Sequence, residues 1–217
     1  QDDRVGGDEL EVVASPFMAQ DAQLLVCAHA TLWVCAAVHA MNDGTTRPLP
    51  SDIASAVPAE LGLGRALPSP GLTIHQISAA ASRLGLPPLV YDTENLPEGQ
   101  SVLKIVCRYL NSGIPVIVAG AGHAFVLVGY IRTDPQTDAE RIKFIRQDDE
   151  VGPYQVVDNY LLDSYSPWRF IVIPLPQKVY IAGEDAEVVG GAMLDAELTR
   201  AGVSAPPKGW HLRCTLV

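Results

Sequence analysis

The sequence predicts an α+β domain, and three observations carry that reading. Apolar residues recur at helical spacing through the first half, over 27–41, 74–84 and 102–110. From Pro115 the period changes to β-rich runs, Pro115-Val116-Ile117-Val118-Ala119 and Ala124-Phe125-Val126-Leu127-Val128-Gly129-Tyr130, joined by Gly120-Ala121-Gly122. Helices first and strands afterwards point to a mostly antiparallel sheet rather than to repeated strand–helix–strand units.

Composition narrows the function classes. At 217 residues and 48% hydrophobic, the chain fits one large domain, or a domain with an appendage, around a sizeable core. Its formal charge of −10, with no basic run, makes nucleic acid and anionic membrane poor partners. The longest apolar stretch, 114–128, is broken by Pro115, Gly120, Gly122 and His123, so no bilayer-spanning helix is expected. Cysteines 27, 35, 107 and 214 form no C-x-x-C pair, which reads as reduced thiols in a cytoplasmic setting. Gln1-Asp2-Asp3-Arg4 carries neither an initiator Met nor a charged-then-apolar signal pattern, so the chain reads as excised from a longer parent that holds further domains.

Taken in order, residues 1–14 form an acidic N-terminal extension in which Leu10, Val12 and Val13 suggest a short edge strand. A buried helix then runs from Cys27 to Met41 and stops at Asn42-Asp43-Gly44, a turn and C-cap signal. Ser51-Asp52 caps a short helix from Ile53 to Val57, ended by Pro58. Residues 61–70 are a Gly/Pro-rich connection. Thr73 and Gln76 make a capping box for a helix that turns Ile74, Ile77, Ala81 and Leu84 to one face and ends at Gly85. Leu89-Val90-Tyr91 is a short strand. Residues 102–111 form an amphipathic helix with Ile105, Val106, Tyr109 and Leu110 inward and Gly113 past its end.

After the hairpin, residues 132–140 read as a polar turn, 142–146 as a third strand, 148–152 as a turn, 154–157 as an extended piece and 170–173 as a further strand. Pro174 to Pro176 bends the chain. A C-terminal extension over 177–217 reads as strand, helix and strand: Val179-Tyr180-Ile181, a helix over 184–200 interrupted at Gly190-Gly191, and Trp210 to Val217. The catalytic core is then expected over 15–176, with the extension packed on it.

Three residues could do chemistry together. Cys27 opens its helix, where the unpaired N–H groups and the positive end of the macrodipole favour a thiolate. His123 opens a strand, and acidic residues cluster at the end of the next one, from Asp148. Nucleophilic cysteine catalysis needs a thiolate, an imidazole within reach of it, and a group that orients the imidazole.

Several stretches carry a family resemblance. Gln20 and Gln23 precede Cys27, and a Trp-containing helix follows it. Gly71-Leu72-Thr73-Ile74-His75-Gln76-Ile77 leads into a helix ending Leu84-Gly85-Leu86. Ser112-Gly113-Ile114-Pro115-Val116-Ile117 is followed by Gly122-His123-Ala124-Phe125-Val126-Leu127-Val128-Gly129-Tyr130. Over residues 15–176 the chain resembles the papain superfamily and, within it, the C39-like peptidases.

The resemblance implies a papain-like fold with the nucleophile at a helix N-terminus, packed on the sheet. It also implies Cys27 as nucleophile and His123 as general base in a cysteine peptidase (thiol protease) that needs no cofactor. Such peptidases carry an aspartate in a D-P-x-x-G turn. Asp148-Asp149-Glu150-Val151-Gly152 matches it without the proline if Asp148 takes the orienting place, with Asp149 as the alternative. The family's oxyanion glutamine lies six residues before the cysteine. Position 21 is Asp, so Gln20 or Gln23 would serve with altered spacing. Ala28 stands where a Gly is common, and the C-G-x-C-W signature of papain itself is absent.

Other readings of the same residues are an inactive papain-like interaction domain and an acyltransferase using the same triad. A zinc site of Cys27, His29, Cys35 and His39 is disfavoured, because the helix is too apolar and the spacing closes no ligand pair. Cys35 and His39 read as packing residues, and Trp33, Trp168 and Trp210 as core or edge aromatics. Val188-Val189-Gly190-Gly191 matches the double-glycine sequence that C39-like peptidases cut, a weak lead to self-processing.

Overall fold

The computed structural model describes residues 4–5, 8–9, 14–19, 27–58, 72–96, 98–120, 122–132, 142–162 and 168–203. The strand expected at Leu10–Val13, the connection over 61–70, nearly all of the 132–140 turn and the last strand from Trp210 lie outside these residues.

Two short strands, β1 (Arg4–Val5) and β2 (Asp8–Glu9), pair antiparallel near the N-terminus. Helix α1 (Cys27–Asp43) follows, and Gly44 adopts φ +65° just past its end, the left-handed C-cap that glycine accepts without strain. Helix α2 (Pro50–Ala56) begins earlier than expected. Its N-cap is Leu49 and Pro50 takes the first helical position, while Asp52 reaches back to the Leu49 N–H at 2.7 Å instead of capping from in front. Helix α3 (Ile74–Arg83) carries the capping box of Thr73 and Gln76. Helix α4 (Val102–Asn111) is capped by Ser101, whose hydroxyl accepts the Lys104 N–H.

The remaining strands are β3 (Pro88–Asp92), β4 (Val116–Gly120), β5 (His123–Arg132), β6 (Ile142–Asp148), β7 (Gly152–Asp158) and β8 (Trp168–Pro174). They form one six-stranded sheet in the order β3-β8-β4-β5-β6-β7, antiparallel throughout. The fold is α+β, with helices preceding and covering an antiparallel sheet.

The continuous apolar runs of β4, β5 and β8 follow from burial on both faces. Ile117, Ala119, Ala124, Val126 and Val172 pack against α1, α2 and α3. Their alternating neighbours Val116, Val118, Phe125, Leu127, Ile171 and Ile173 pack against α4. Helix α1 is accordingly buried along most of its circumference.

Two expectations for the C-terminal part change. Val179–Ile181 forms no strand, and α5 (Gly183–Arg200) runs unbroken through Gly190-Gly191, since glycine raises the cost of a helix without forbidding it. The first turns of α5 are locked to the core. Glu187 accepts two bonds from buried Arg108, at 2.8 and 2.7 Å, and Glu184 accepts from Tyr91 at 2.7 Å and Tyr109 at 3.0 Å. Tyr109 Oη in turn accepts the Gly183 N–H at 3.0 Å. A Cβ on Gly183 would stand 2.5 Å from Arg108 Cδ, a side chain already held at its far end by Glu187. Gly183→Ala is therefore expected to destabilise the protein by about 1–3 kcal/mol, the usual penalty for overpacking. Urea unfolding of the variant beside the wild type measures this; an unchanged midpoint would show that the junction yields.

Candidate active site

The hairpin between β4 and β5 places the imidazole. Gly120 pairs with His123, and Gly122 just before the imidazole adopts φ +80°, which suits so short a turn. On the other side of β5, Val126 lies opposite Gln147. The next residue of β6, Asp148, thus comes level with Phe125, two positions from His123 along the same side of its strand.

His123 Nε2 donates to Asp148 Oδ1 at 3.0 Å. Asp149 Oδ1 stands 4.0 Å from the same nitrogen, so of the two candidate acids Asp148 makes the hydrogen bond. Asp148 is 2% exposed. Its Oδ1 also accepts the Glu150 N–H at 3.0 Å, and its Oδ2 lies 3.4 Å from Arg146 Nη1. Burial pushes the Asp148 carboxyl up, but the His123 bond, the Glu150 N–H and the charges of His123 and Arg146 outweigh it and hold the group below its ordinary value.

His123 moves the other way. The Asp148 bond and then the Cys27 thiol raise it to about 10, against the opposing effect of burial. With Nε2 committed to Asp148, Nδ1 is the ring nitrogen left for the thiol. Cys27, 5% exposed, stands at the first described residue of α1 and lines one cavity with His123. That cavity, about 190 Å³, is walled by Leu72, Ile74 and Ile77 on one side and by Ala119, Gly120 and Phe170 on the other. A thiol, an imidazole and a buried carboxylate in this order can run acyl chemistry on a substrate laid along an apolar cleft.

Several neighbours escaped the sequence reading. Trp168, expected as an ordinary core or edge aromatic, stands 6.1 Å from the His123 ring, because β8 pairs with Gly120 at that register. Arg146 lies over the Phe125 ring at 5.4 Å while facing Asp148. Gln147, nearly fully buried, donates to Ser15 Oγ at 2.7 Å, and Tyr154 donates to the Ser15 carbonyl. Tyr154 sits at φ +53°, a conformation unfavourable for a bulky residue. These bonds tether the segment before Cys27 to β6 and β7.

Gln20 and Gln23 lie outside the described residues. Residues Cys27, His29, Cys35 and His39 are spread along α1. Cys35 is fully buried in apolar surroundings, which push its thiol up, and His39 Nε2 donates to the Pro174 carbonyl at 2.9 Å. Among the described residues, the grouping with metal-ligand proximity is His123, Asp148 and Asp149, whose ligand atoms lie within 4.8 Å of one another.

The His123 shift sets a pH dependence. An unfolded histidine releases its proton near 6.5, whereas folded His123 holds it to about 10. Its contribution to stability is therefore complete below about pH 6.5 and is lost as the pH rises through about 10. Asp148→Asn removes the largest cause of the shift and is expected to lower the His123 midpoint by more than about one unit. Titration of the ring by NMR checks this, and an unmoved midpoint would deny the coupling.

No family model matches the chain, and no curated protein matches it. Similar folds occur among solved structures. One is the peptidase domain of Streptococcus ComA, a bi-functional ABC transporter involved in quorum sensing, at 17% identity and TM-score 0.44, covering 70% of this chain and 91% of that one. Another is a double glycine motif protease from an AMS/PCAT transporter, solved with its leader peptide, at 18% identity and TM-score 0.45, covering 73% and 91%. A third is the N-terminal peptidase C39 like domain of a toxin secretion ATP-binding protein from Vibrio parahaemolyticus, at 16% identity and TM-score 0.40, covering 70% and 98%.

Proposed function

We propose that this chain is a papain-like cysteine peptidase of the C39-like kind, cleaving a peptide or isopeptide bond with Cys27, His123 and Asp148. The observation that carries the reading is the 3.0 Å His123–Asp148 bond beside Cys27 in one apolar-walled cleft. The Cys27 thiolate attacks the substrate carbonyl carbon, forming a C–S bond and a tetrahedral oxyanion. The Cys27 N–H and the side chain of Gln20 or Gln23 stabilise that oxyanion. Protonated His123 donates from Nδ1 to the leaving nitrogen, the C–N bond breaks, and a thioester remains. Neutral His123 then takes a proton from water, whose oxygen attacks the thioester and releases the acid and the thiolate.

Asp148 keeps Nε2 occupied throughout, fixing the tautomer in which Nδ1 exchanges protons with sulfur and substrate. The reaction needs no cofactor. The substrate is a peptide or protein, and the chain works as the 15–176 catalytic core of a longer parent with 177–217 as an appended segment. A reducing, cytoplasmic setting suits its buried free thiols Cys27, Cys35 and Cys107. Gly190-Gly191, wound into α5, would have to unwind before it could enter an extended cleft, so an external peptide is the favoured substrate.

Thiol reactivity tests the reading. Burial pushes Cys107 to about 11 and Cys35 higher still, which makes them internal controls. Iodoacetamide at neutral pH is expected to label Cys27 first, with His123→Ala slowing that labelling at least about tenfold. Peptide cleavage is expected to fall about 10²–10⁴-fold in His123→Ala and to vanish in Cys27→Ala. Equal labelling of all three thiols, indifferent to His123, would leave an inactive interaction domain as the better reading.

A further inference from the structure

Glu150 is an acid beside His123 that neither the triad nor the core uses. Its Oε1 lies 3.6 Å from His123 Nδ1, the nitrogen that serves as proton donor in the proposed mechanism. The Asp148 and Asp149 side chains are 2% exposed, whereas the Glu150 side chain is 62% exposed. Its backbone N–H is tied to Asp148 Oδ1 at 3.0 Å, which fixes the backbone from which its side chain reaches His123. Among the described residues its carboxylate has no ion-pair partner besides His123. The nearby cation Arg146 faces Asp148, and among the described residues His123 is the basic residue lining the cavity, with no Lys or Arg beside it.

We infer that Glu150 sets specificity on the leaving side of the scissile bond, favouring peptides with a cationic residue immediately after the cut. The inference rests on the peptidase reading and extends it to the substrate. When the C–N bond breaks, the leaving nitrogen must come within about 3 Å of Nδ1 to take its proton. The Glu150 carboxylate is 3.6 Å from that same nitrogen, so the leaving residue begins no more than about 6.6 Å from a solvent-facing negative charge. A Lys or Arg side chain spans that distance easily, and the released amino terminus gains a positive charge at the same place. The apolar cavity residues Leu72, Ile74, Ile77 and Phe170 offer no comparable charge.

Because Glu150 is largely exposed, its effect is screened and modest, about three- to fivefold in kcat/KM. The test uses the full chain and a mixed peptide library read by mass spectrometry, from which one cleaved sequence is remade with Lys, Gln or Glu after the cut. The wild type is expected to prefer Lys over Gln about three- to fivefold and to disfavour Glu. The preference is expected to shrink toward unity near 1 M salt, where charges are screened beyond about 3 Å. Glu150→Gln is expected to level the three peptides while still cleaving the Gln peptide. No preference in the wild type, or one that survives in Glu150→Gln, would overturn the role of Glu150 and leave the peptidase reading standing. No cleavage of any library member, with Cys27 no more reactive than Cys35, would instead overturn the peptidase reading and this inference with it.

Discussion

The hydrogen bond between His123 and Asp148 ties the first residue of β5 to the last residue of β6, and the geometry of the site hangs on it. It depends on sheet register: a slip of one residue between β5 and β6 would turn Asp148 to the opposite face and leave the imidazole without its acid. The register shifts close by, between Leu127 and Gly129 where β5 pairs with β6 and between Arg146 and Asp148 where β6 pairs with β7. Such irregularities re-aim side chains at the ends of strands, which is where this site is built.

The same bond draws in a wider set of charges. Asp148 holds His123, the Glu150 N–H and Arg146 together, so the buried carboxylate is satisfied from three directions. A buried charge paired this fully tolerates loss of a partner poorly, because the remaining charge would stay in a low-dielectric setting. Cys27 reaches the site from the other layer, on a helix whose burial against the sheet leaves it little freedom to shift. A thiol on α1 and an imidazole on β5 meet at the seam between helices and sheet.

Much of this was legible in the residues. The start of α3 follows from Thr73 and Gln76 and the end of α4 from Gly113, because caps act locally and their partners lie within one turn. The β4–β5 hairpin was readable from Gly122 for the same reason. The start of α2 was misjudged because Asp52 caps backward from inside the helix, and Leu49 gives no side-chain signal. Gly190-Gly191 suggested a break that α5 does not make.

What stayed hidden is long-range. Strand β8 is the last of the described strands in sequence yet sits between β3 and β4, an order that hydrophobic pattern cannot reveal. Trp168 came beside His123 by that route, and Phe170 joined the cleft wall. Candidates for nucleophile, base and acid could be named from residue type and order, whereas choosing between Asp148 and Asp149 as the hydrogen-bonding acid required the register of β5 against β6. The direct measurement of the central claim is the intact mass of the protein after acid quench during reaction with a cleavable peptide. The account predicts a thioester adduct of the acyl fragment on Cys27, absent from Cys27→Ala and strongly reduced in His123→Ala. Cleavage with no adduct on Cys27, or cleavage that persists in Cys27→Ala, would contradict it.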